Sequence, residues 1–577
     1  MDAVIIMVLA FVGYLLAYRL YGRFVAKKIF ALSNANKTPA VLMEDGQDYV
    51  PTRKGIIFGH HFTSIAATGP IVGPALAVIW GWLPALIWVL VGTIVMGGVH
   101  DFGALVMSLR NQGKSISEIT EKYINPRTRT IFFIIVFFEL LIVVAIFGVV
   151  IAIVFSLYPQ AVFPVWLEIP IALLLGWIVY KRGGNHVLFS ILAVILMYVT
   201  VVIGAYLPLA MPMIAGIPAM GVWVIILLIY AFIASTLPVT TLLQPRDYIN
   251  SHQLLIAMAL LVVGILIAGF TGKMEVVAPA VRAAPAGTPP LWPMLFITIA
   301  CGAISGFHSL VSSGTSSKQV KQEEDALFVG YGSMVLEGVL AVLVIIAVTA
   351  GIGIGYQNKD GTMFTGLAAW TEHYKSWAGA GGVGNAARAF VQGSANMIAA
   401  VGIPVKFGVV IMGVFVASFA GTTLDTATRI QRYVVQELAG DIKVKFMQNR
   451  YAATAFAVIT AGILAFATGA SGTGALLLWP LFGATNQCLA SLALVAITLY
   501  LKRQGGVRYL ISGIPAAFMV VMTTWGLILN EINFINGAMW HLVVINAIVV
   551  LIAIWIVVEG LAVFFGGAKA KEARAEA

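Results

Sequence analysis

Charge is what this 577-residue chain has least of: 10% of its residues are charged, 60% are hydrophobic, and the mean hydropathy is +0.97. A soluble globular protein carries about 25% charged residues. So little charge cannot coat a particle of this size, and most of the surface must face lipid. Cysteine is nearly absent too. Cys301 and Cys488 both lie inside apolar segments, which excludes a disulfide framework or a zinc ribbon. No basic stretch precedes the apolar run from Ala3 to Leu20, and Arg19, Arg23, Lys27 and Lys28 follow it. The run therefore reads as a retained first span rather than a cleaved signal.

Other absences narrow the function. No flavin, nucleotide or protease motif appears, and of the eight histidines only His61, His100 and His308 sit deep enough for a haem. The chain is read as a non-enzyme without a cofactor. The polar segments 21–55 and 356–385 are too short for a sensor domain, and no filter-like loop repeats as in a channel. The net charge of +10 falls in loops between apolar runs rather than on one folded face, so nucleic acid is not expected as a partner.

What is present is a series of apolar runs, each near the ~20 residues a span requires. They fall at 3–18, 57–79, 83–109, 130–157, 165–180, 186–206, 219–243, 253–272, 291–317, 327–355, 405–427, 452–468, 474–501, 509–529 and 541–564, with 385–403 open as a further span or re-entrant segment. Cytoplasmic loops are enriched in Lys and Arg. With the N-terminus outside and the C-terminus inside, every Lys and Arg except Lys273, Arg282, Lys359, Lys375, Arg388 and Lys406 falls on the cytoplasmic side.

Two spans are interrupted. The first contains Thr68-Gly69-Pro70 and Gly73-Pro74, and the second contains Ser235-Thr236-Leu237-Pro238-Val239-Thr240. Free backbone at membrane depth is tolerated only where it packs in protein or lines a cavity. Five spans separate the two starts, so the broken helices cross in opposite directions, as in inverted repeats with a solute site at the breaks. The alternative is two packed helices kinked by proline. The implied division is 1–56 (first helix and cytoplasmic loop), 57–210 and 211–427 (the repeats), and 428–577 (C-terminal helices).

The stretches Phe58–Pro74 (FGHHFTSIAATGPIVGP), Ala303–Lys318 (AISGFHSLVSSGTSSK) and Ala420–Val434 (AGTTLDTATRIQRYV) closely resemble the carbon starvation protein A family, and the likeness runs over nearly the whole chain. The resemblance implies an all-α polytopic protein of a bacterial inner membrane. Its core would be a LeuT/APC-like 5+5 inverted repeat, with one preceding and about four following helices. It also implies a secondary-active transporter taking up small peptides in nutrient starvation; close relatives are linked to proton-driven pyruvate uptake.

Candidate solute or ion contacts are Ser64, Thr68 and Gly69 at the first break, Ser235, Thr236 and Thr240 at the second, and Ser305, His308, Ser312 and Ser313 in a hydroxyl-rich span. Hydroxyls there can ligate sodium or bond neighbouring helices. His60 and His61 begin the first broken helix, where they can carry a coupling proton or sit at the membrane surface in contact with water or headgroups. Adjacent in sequence, they cannot easily place both rings on one metal, so zinc is not expected at this pair. Asp101 and Asp425 can pair with Arg110, Arg246, Lys318 or Arg429, as a gate or as static bridges. Glu139 and Glu337 are deeper and have no basic neighbour in sequence, which makes them candidates for a proton relay. Arg246 can contact a carboxylate solute during release or reach for water as a helix-end cation. The coupling ion, H+ or Na+, stays open.

Overall fold

The structure is a computed structural model that describes residues 2–566. The basic tail residues Lys569, Lys571 and Arg574, and with them the C-terminus expected inside, lie outside the described residues. In chain order the long helices are α1 (Asp2–Ile29), the pair α2 (Lys54–Ile65) and α3 (Gly69–Trp80), α4 (Trp82–Leu109), α5 (Pro126–Leu157), α6 (Pro159–Val179), α7 (Val187–Gly204), α8 (Ala219–Thr236) and α9 (Leu243–Phe270). They continue with the pair α10 (Leu291–Thr298) and α11 (Gly306–Gly314), then α12 (Glu323–Ile354), α13 (Val383–Ala399), α14 (Val405–Asp441), α15 (Arg450–Phe466), α16 (Gly474–Arg503), α17 (Leu510–Asn536) and α18 (Trp540–Phe565).

Among the described residues, twelve helices are each long and apolar enough to cross a membrane, and α2 with α3 forms one more span bent by 45°. The pair α10/α11 and the shorter α15 complete the series, so every expected segment falls on a helix or a broken pair. Three of these helix starts are capped by asparagine side chains. Asn125, Asn185 and Asn449 each accept amide hydrogen bonds from the first turn that follows, satisfying donors that have no partner within the helix. Gly81 turns the chain between α3 and α4 at φ 98°, and a Cβ there would lie 2.4 Å from the Ala280 carbonyl oxygen. Only glycine fits both demands. The most apolar stretch is 94% buried in α16 and 83% in α12, against 33% in α1 and 28% in α18. The first two therefore run through the centre, and the last two face lipid.

Loop contacts sort the helix ends into two faces. On one, Arg110 donates to Glu323, Arg429 to Asp48, Arg450 to Gln47, and Arg503 to the Lys122 and Tyr123 carbonyls. This is the basic face. On the other, the Arg282 amide bonds the Trp80 carbonyl, and Gly353 packs on Val277. Both ends of α13 rest on that second face, Gly384 against Ile153 and Leu157, and Met397 against Gly264. The stretch at 385–403 therefore does not traverse.

The second interruption lies elsewhere than its sequence suggested. Ser235 and Thr236 close α8, and Leu237–Leu242 is the reversal between α8 and α9 at the basic face, where the Val239 amide bonds the Gln47 carbonyl. Pro238 ends a span there instead of breaking one. The interruption at membrane depth is the Ile299–Ser305 segment between α10 and α11. Gly302 allows it by adopting φ 87°.

Candidate functional site

The two interruptions face each other. A Cβ on Gly69 would lie 2.4 Å from the Cβ and Sγ of Cys301, one on Gly73 would lie 2.6 Å from the Thr298 carbonyl oxygen, and one on Gly302 would lie 3.4 Å from Pro70. Glycine at these positions lets two unwound backbones touch. Their polar groups are paired, as burial requires. Trp88 Nε1 donates to the Ile299 carbonyl (3.0 Å) and Thr93 to that of Gly302 (2.7 Å). The Gly302 amide donates to Glu337 Oε1 (2.9 Å), and the Phe307 amide to Asn486 Oδ1 (2.9 Å). At the first break Thr423 donates to the Ser64 carbonyl (3.2 Å), and the Ser64 and Thr426 hydroxyls lie 3.1 Å apart. A cavity of about 320 Å³ runs from the face opposite the basic one past Trp377, Trp479 and Asn530 to Gly69 and Cys301.

Beside this junction is a cluster of titratable groups. His308 Nδ1 lies 2.9 Å from Asp101 Oδ2, and Asp101 Oδ1 lies 2.7 Å from His100 Nδ1. His308 Nε2 is 3.4 Å from Glu337 Oε2, an ion-pair distance without hydrogen-bond geometry. The side chains of Asp101, His308 and Glu337 are fully buried. Two carboxylates thus share one imidazole.

A second cluster centres on Arg246. Its guanidinium bonds Asp425 and the Tyr230 hydroxyl, donates to Thr422 Oγ1 (2.8 Å), and stands 3.6 Å from Glu168 and 3.7 Å from Asp247. Asp247 Oδ2 lies 2.6 Å from His60 Nδ1, and His60 Nε2 lies 3.2 Å from Thr315 Oγ1. Ser418 holds the far oxygen of Glu168 (2.8 Å). A hollow of about 30 Å³ touches Glu168, Tyr230 and Arg246, enough for about one water molecule. One guanidinium thus faces three buried carboxylates.

Residues 2–526 match the family described as Carbon starvation protein CstA. The chain belongs to the CstA family. It is similar to a protein named peptide transporter CstA in Campylobacter jejuni, at 32% identity over 94% of this chain and 83% of that one. A Bacillus subtilis protein of the same name is 33% identical over 91% and 90% of the two chains. The pyruvate/proton symporter BtsT of Escherichia coli K12 is 33% identical over 89% and 80%. Among solved structures, MhsT in complex with L-phenylalanine aligns at 11% identity and a TM-score of 0.45, over 82% of this chain and 98% of that one.

The expected contacts of this CstA-family chain divide as follows. Ser64, Thr68, Gly69, Ser305 and His308 gather at the paired interruptions. Ser235 donates to the Asp425 carbonyl (3.1 Å) and so joins the Arg246 side, whereas Thr236 donates back into its own helix (2.8 Å) and Thr240 sits in the reversal at the basic face. Ser312 is buried, and Ser313 accepts from the Ile116 amide (3.0 Å), turned from the junction. His60 and His61 do not open the helix at the membrane surface; both are fully buried within α2, which begins at Lys54. His61 Nδ1 lies 2.8 Å from the Ser316 hydroxyl. Asp101 pairs with histidines rather than with an arginine or lysine, while Asp425 does pair with Arg246. Glu139 accepts from Thr485 (2.6 Å), away from both clusters. Glu337 has a basic neighbour after all, in His308.

Glu168, Asp247, Cys301 and Asn486 carry no legible role in the sequence, because each gains its partner only from a helix distant in the chain. Arg246 does not reach water as a helix-end cation, since its side chain is only 4% exposed and pairs with Asp425. At the basic face Asp48 takes Arg429 (2.8 Å) and Arg432 (3.3 Å), and the Val50 and Thr52 amides bond the Lys318 and Gln319 carbonyls. The 30–53 loop is thereby tied across that face. Burial alone would raise the Asp48 carboxyl, but the two guanidinium groups hold it at about 2.

Proposed function

We propose that this chain is a secondary-active transporter that imports small peptides across the cytoplasmic membrane of a bacterium, driven by protons. The observation that carries the reading is the contact between two interrupted helices at the foot of a cavity, inside a bundle of apolar spans. Interrupted helices at mid-depth are where transporters bind solute. The amino end of α3, at Thr68 and Gly69, bears partial positive charge and suits a carboxylate. The peptide assignment is supported by the names of the CstA relatives. The name of the E. coli symporter, at similar identity, supports a second reading, pyruvate with a proton, whose carboxylate would meet the same helix end.

Helix packing supports an inverted repeat with shifted boundaries. The first unit is α2/α3, α4, α5, α8 and α9, with α6–α7 as an inserted hairpin; the second is α10/α11, α12, α14, α15 and α16. Corresponding contacts recur: α2 packs on α9 as α11 does on α16, α5 on α8 as α14 on α15, and α5 crosses α14. The first unit starts at the basic face and the second at the opposite face. Lys54–Phe270 and Leu291–Arg503 then replace 57–210 and 211–427, leaving α1 before the core and α17 and α18 after it. The basic face is assigned to the cytoplasm by its Lys and Arg content, which puts Asp2 outside.

Protons rather than sodium suit the Arg246 cluster. A tethered guanidinium already fills the polar space between Asp425, Asp247 and Glu168, so the exchangeable species there is a proton on the surplus acids. Because the cluster joins α2, α6, α8, α9 and α14, its charge state biases how they pack. Uptake of labelled dipeptide or pyruvate into proteoliposomes, with and without a pH gradient, tests the assignment. Gradient-stimulated uptake is expected, with loss of the stimulation but not of solute exchange in Glu168→Gln. Absence of gradient-stimulated uptake of either solute overturns it.

A further inference from the structure

We propose that Cys301, His308 and Glu337 form a three-ligand site for one zinc-class divalent cation, with a further coordination position open to the cavity. The thiol sulfur, an imidazole nitrogen and a carboxylate oxygen lie within 4.8 Å of one another. Their chemistry selects the ion. Thiolate and imidazole favour zinc-like metals, whereas magnesium and calcium take oxygen ligands.

A second observation points to an occupant. His308 Nε2 and Glu337 Oε2 are buried and face each other as an ion pair, but neither makes a hydrogen bond of good geometry. Their 3.4 Å separation fails as a hydrogen bond, but two ligands about 2.0–2.1 Å from a tetrahedral zinc stand about 3.3 Å apart. The pair therefore has the spacing of one edge of a zinc tetrahedron.

The groups behind the ligands are also those a metal site needs. A ligating histidine usually gives its other nitrogen to a carboxylate, which fixes the ring and its tautomer. His308 Nδ1 has Asp101 at 2.9 Å, and Asp101 in turn has His100 at 2.7 Å. The far oxygen of Glu337 takes the Gly302 amide at 2.9 Å. Cys301 is held by the close approach of Gly69 and, alone of the three ligands, lines the cavity. Three protein ligands with an open position is the pattern of zinc sites that bind an exchangeable ligand. If the transport reading holds, the open position takes a chelating end of the solute, such as the amine and carbonyl of a peptide's first residue.

Purified full-length protein, stripped by a chelator, is titrated with Zn2+ alone by calorimetry and with Co2+ alone by absorbance. One ion per chain and a cobalt–thiolate charge-transfer band are expected. Cys301→Ser abolishes the band and Cys488→Ser keeps it. Glu337→Gln keeps the band but weakens zinc binding by more than about tenfold. Should Cys301→Ser not fold, the Glu337→Gln titration decides alone. No saturable site, a band that survives Cys301→Ser, or zinc affinity unchanged in Glu337→Gln overturns the proposal; the shared groups are then a proton relay only. A chain that binds zinc but takes up no solute defeats the transport reading and leaves the metal site standing.

Discussion

Alanine at residue 69 puts a methyl group where Cys301 already is. The added Cβ would stand 2.4 Å from both the Cβ and the Sγ of Cys301, while the next atom, Cys301 Cα, is 3.8 Å away. Non-bonded carbons prefer about 3.5–4.0 Å, so two contacts overlap by more than an ångström. Cys301 cannot retreat easily, because Trp88, Thr93 and Glu337 hold the backbone on either side of it. Overpacking of this kind costs about 1–3 kcal/mol, equivalent to about a 5- to 150-fold loss of the tight junction. Cys301→Gly removes both clashing atoms and leaves only the 3.8 Å contact. Gly69→Ala should therefore lower the unfolding midpoint of detergent-solubilised protein in the wild-type background, and scarcely at all in the Cys301→Gly background. Measuring in chelator keeps any bound metal out of the comparison. Equal costs in the two backgrounds would refute the proposed contact between the interrupted helices.

Three further outcomes follow from single side chains. Arg246→Met strands Asp425, Glu168 and Asp247 without their cation and should destabilise the fold by about 3–5 kcal/mol, read as a lower unfolding midpoint; an unchanged midpoint contradicts the buried cluster. Asn486→Leu leaves the Phe307 amide without its acceptor and should cost about 1–3 kcal/mol, by the same measurement. The Asp48 carboxyl is depressed from 3.8 to about 2 by Arg429 and Arg432. Its stabilising contribution is then complete above about pH 4 and is lost as pH falls through about 2. Asp48→Asn should be less stable than the parent near neutral pH and converge with it as pH falls across that range; a gap that persists to pH 2 rejects the assignment.

Much was written in the sequence because the bilayer makes it local. A helix must be long and apolar to cross, so the number and order of spans, and the grouping of basic loops at one face, were legible from composition alone. The first break was legible for the same reason, since Gly69-Pro70 interrupts an apolar run wherever it lies. The second was not. Leu237-Pro238 and the Gly302 region both interrupt apolar runs, and which one lies at membrane depth depends on where the neighbouring helices end. Only the tertiary structure decided that Pro238 closes a span and that Gly302 meets Pro70.

The charged sites divide the same way. That Asp101, Glu337, His308 and Asp425 needed partners followed from the cost of burying them, but who those partners are did not. Thirty-five positions separate the Gly302 amide from Glu337, and Arg246 reaches Asp425 across 179. The sequence by itself determined that this is a multi-span membrane protein with costly polar residues inside it. The fold decided which of them meet, because pairing at such separations depends on how the helices pack and not on any local preference of the chain.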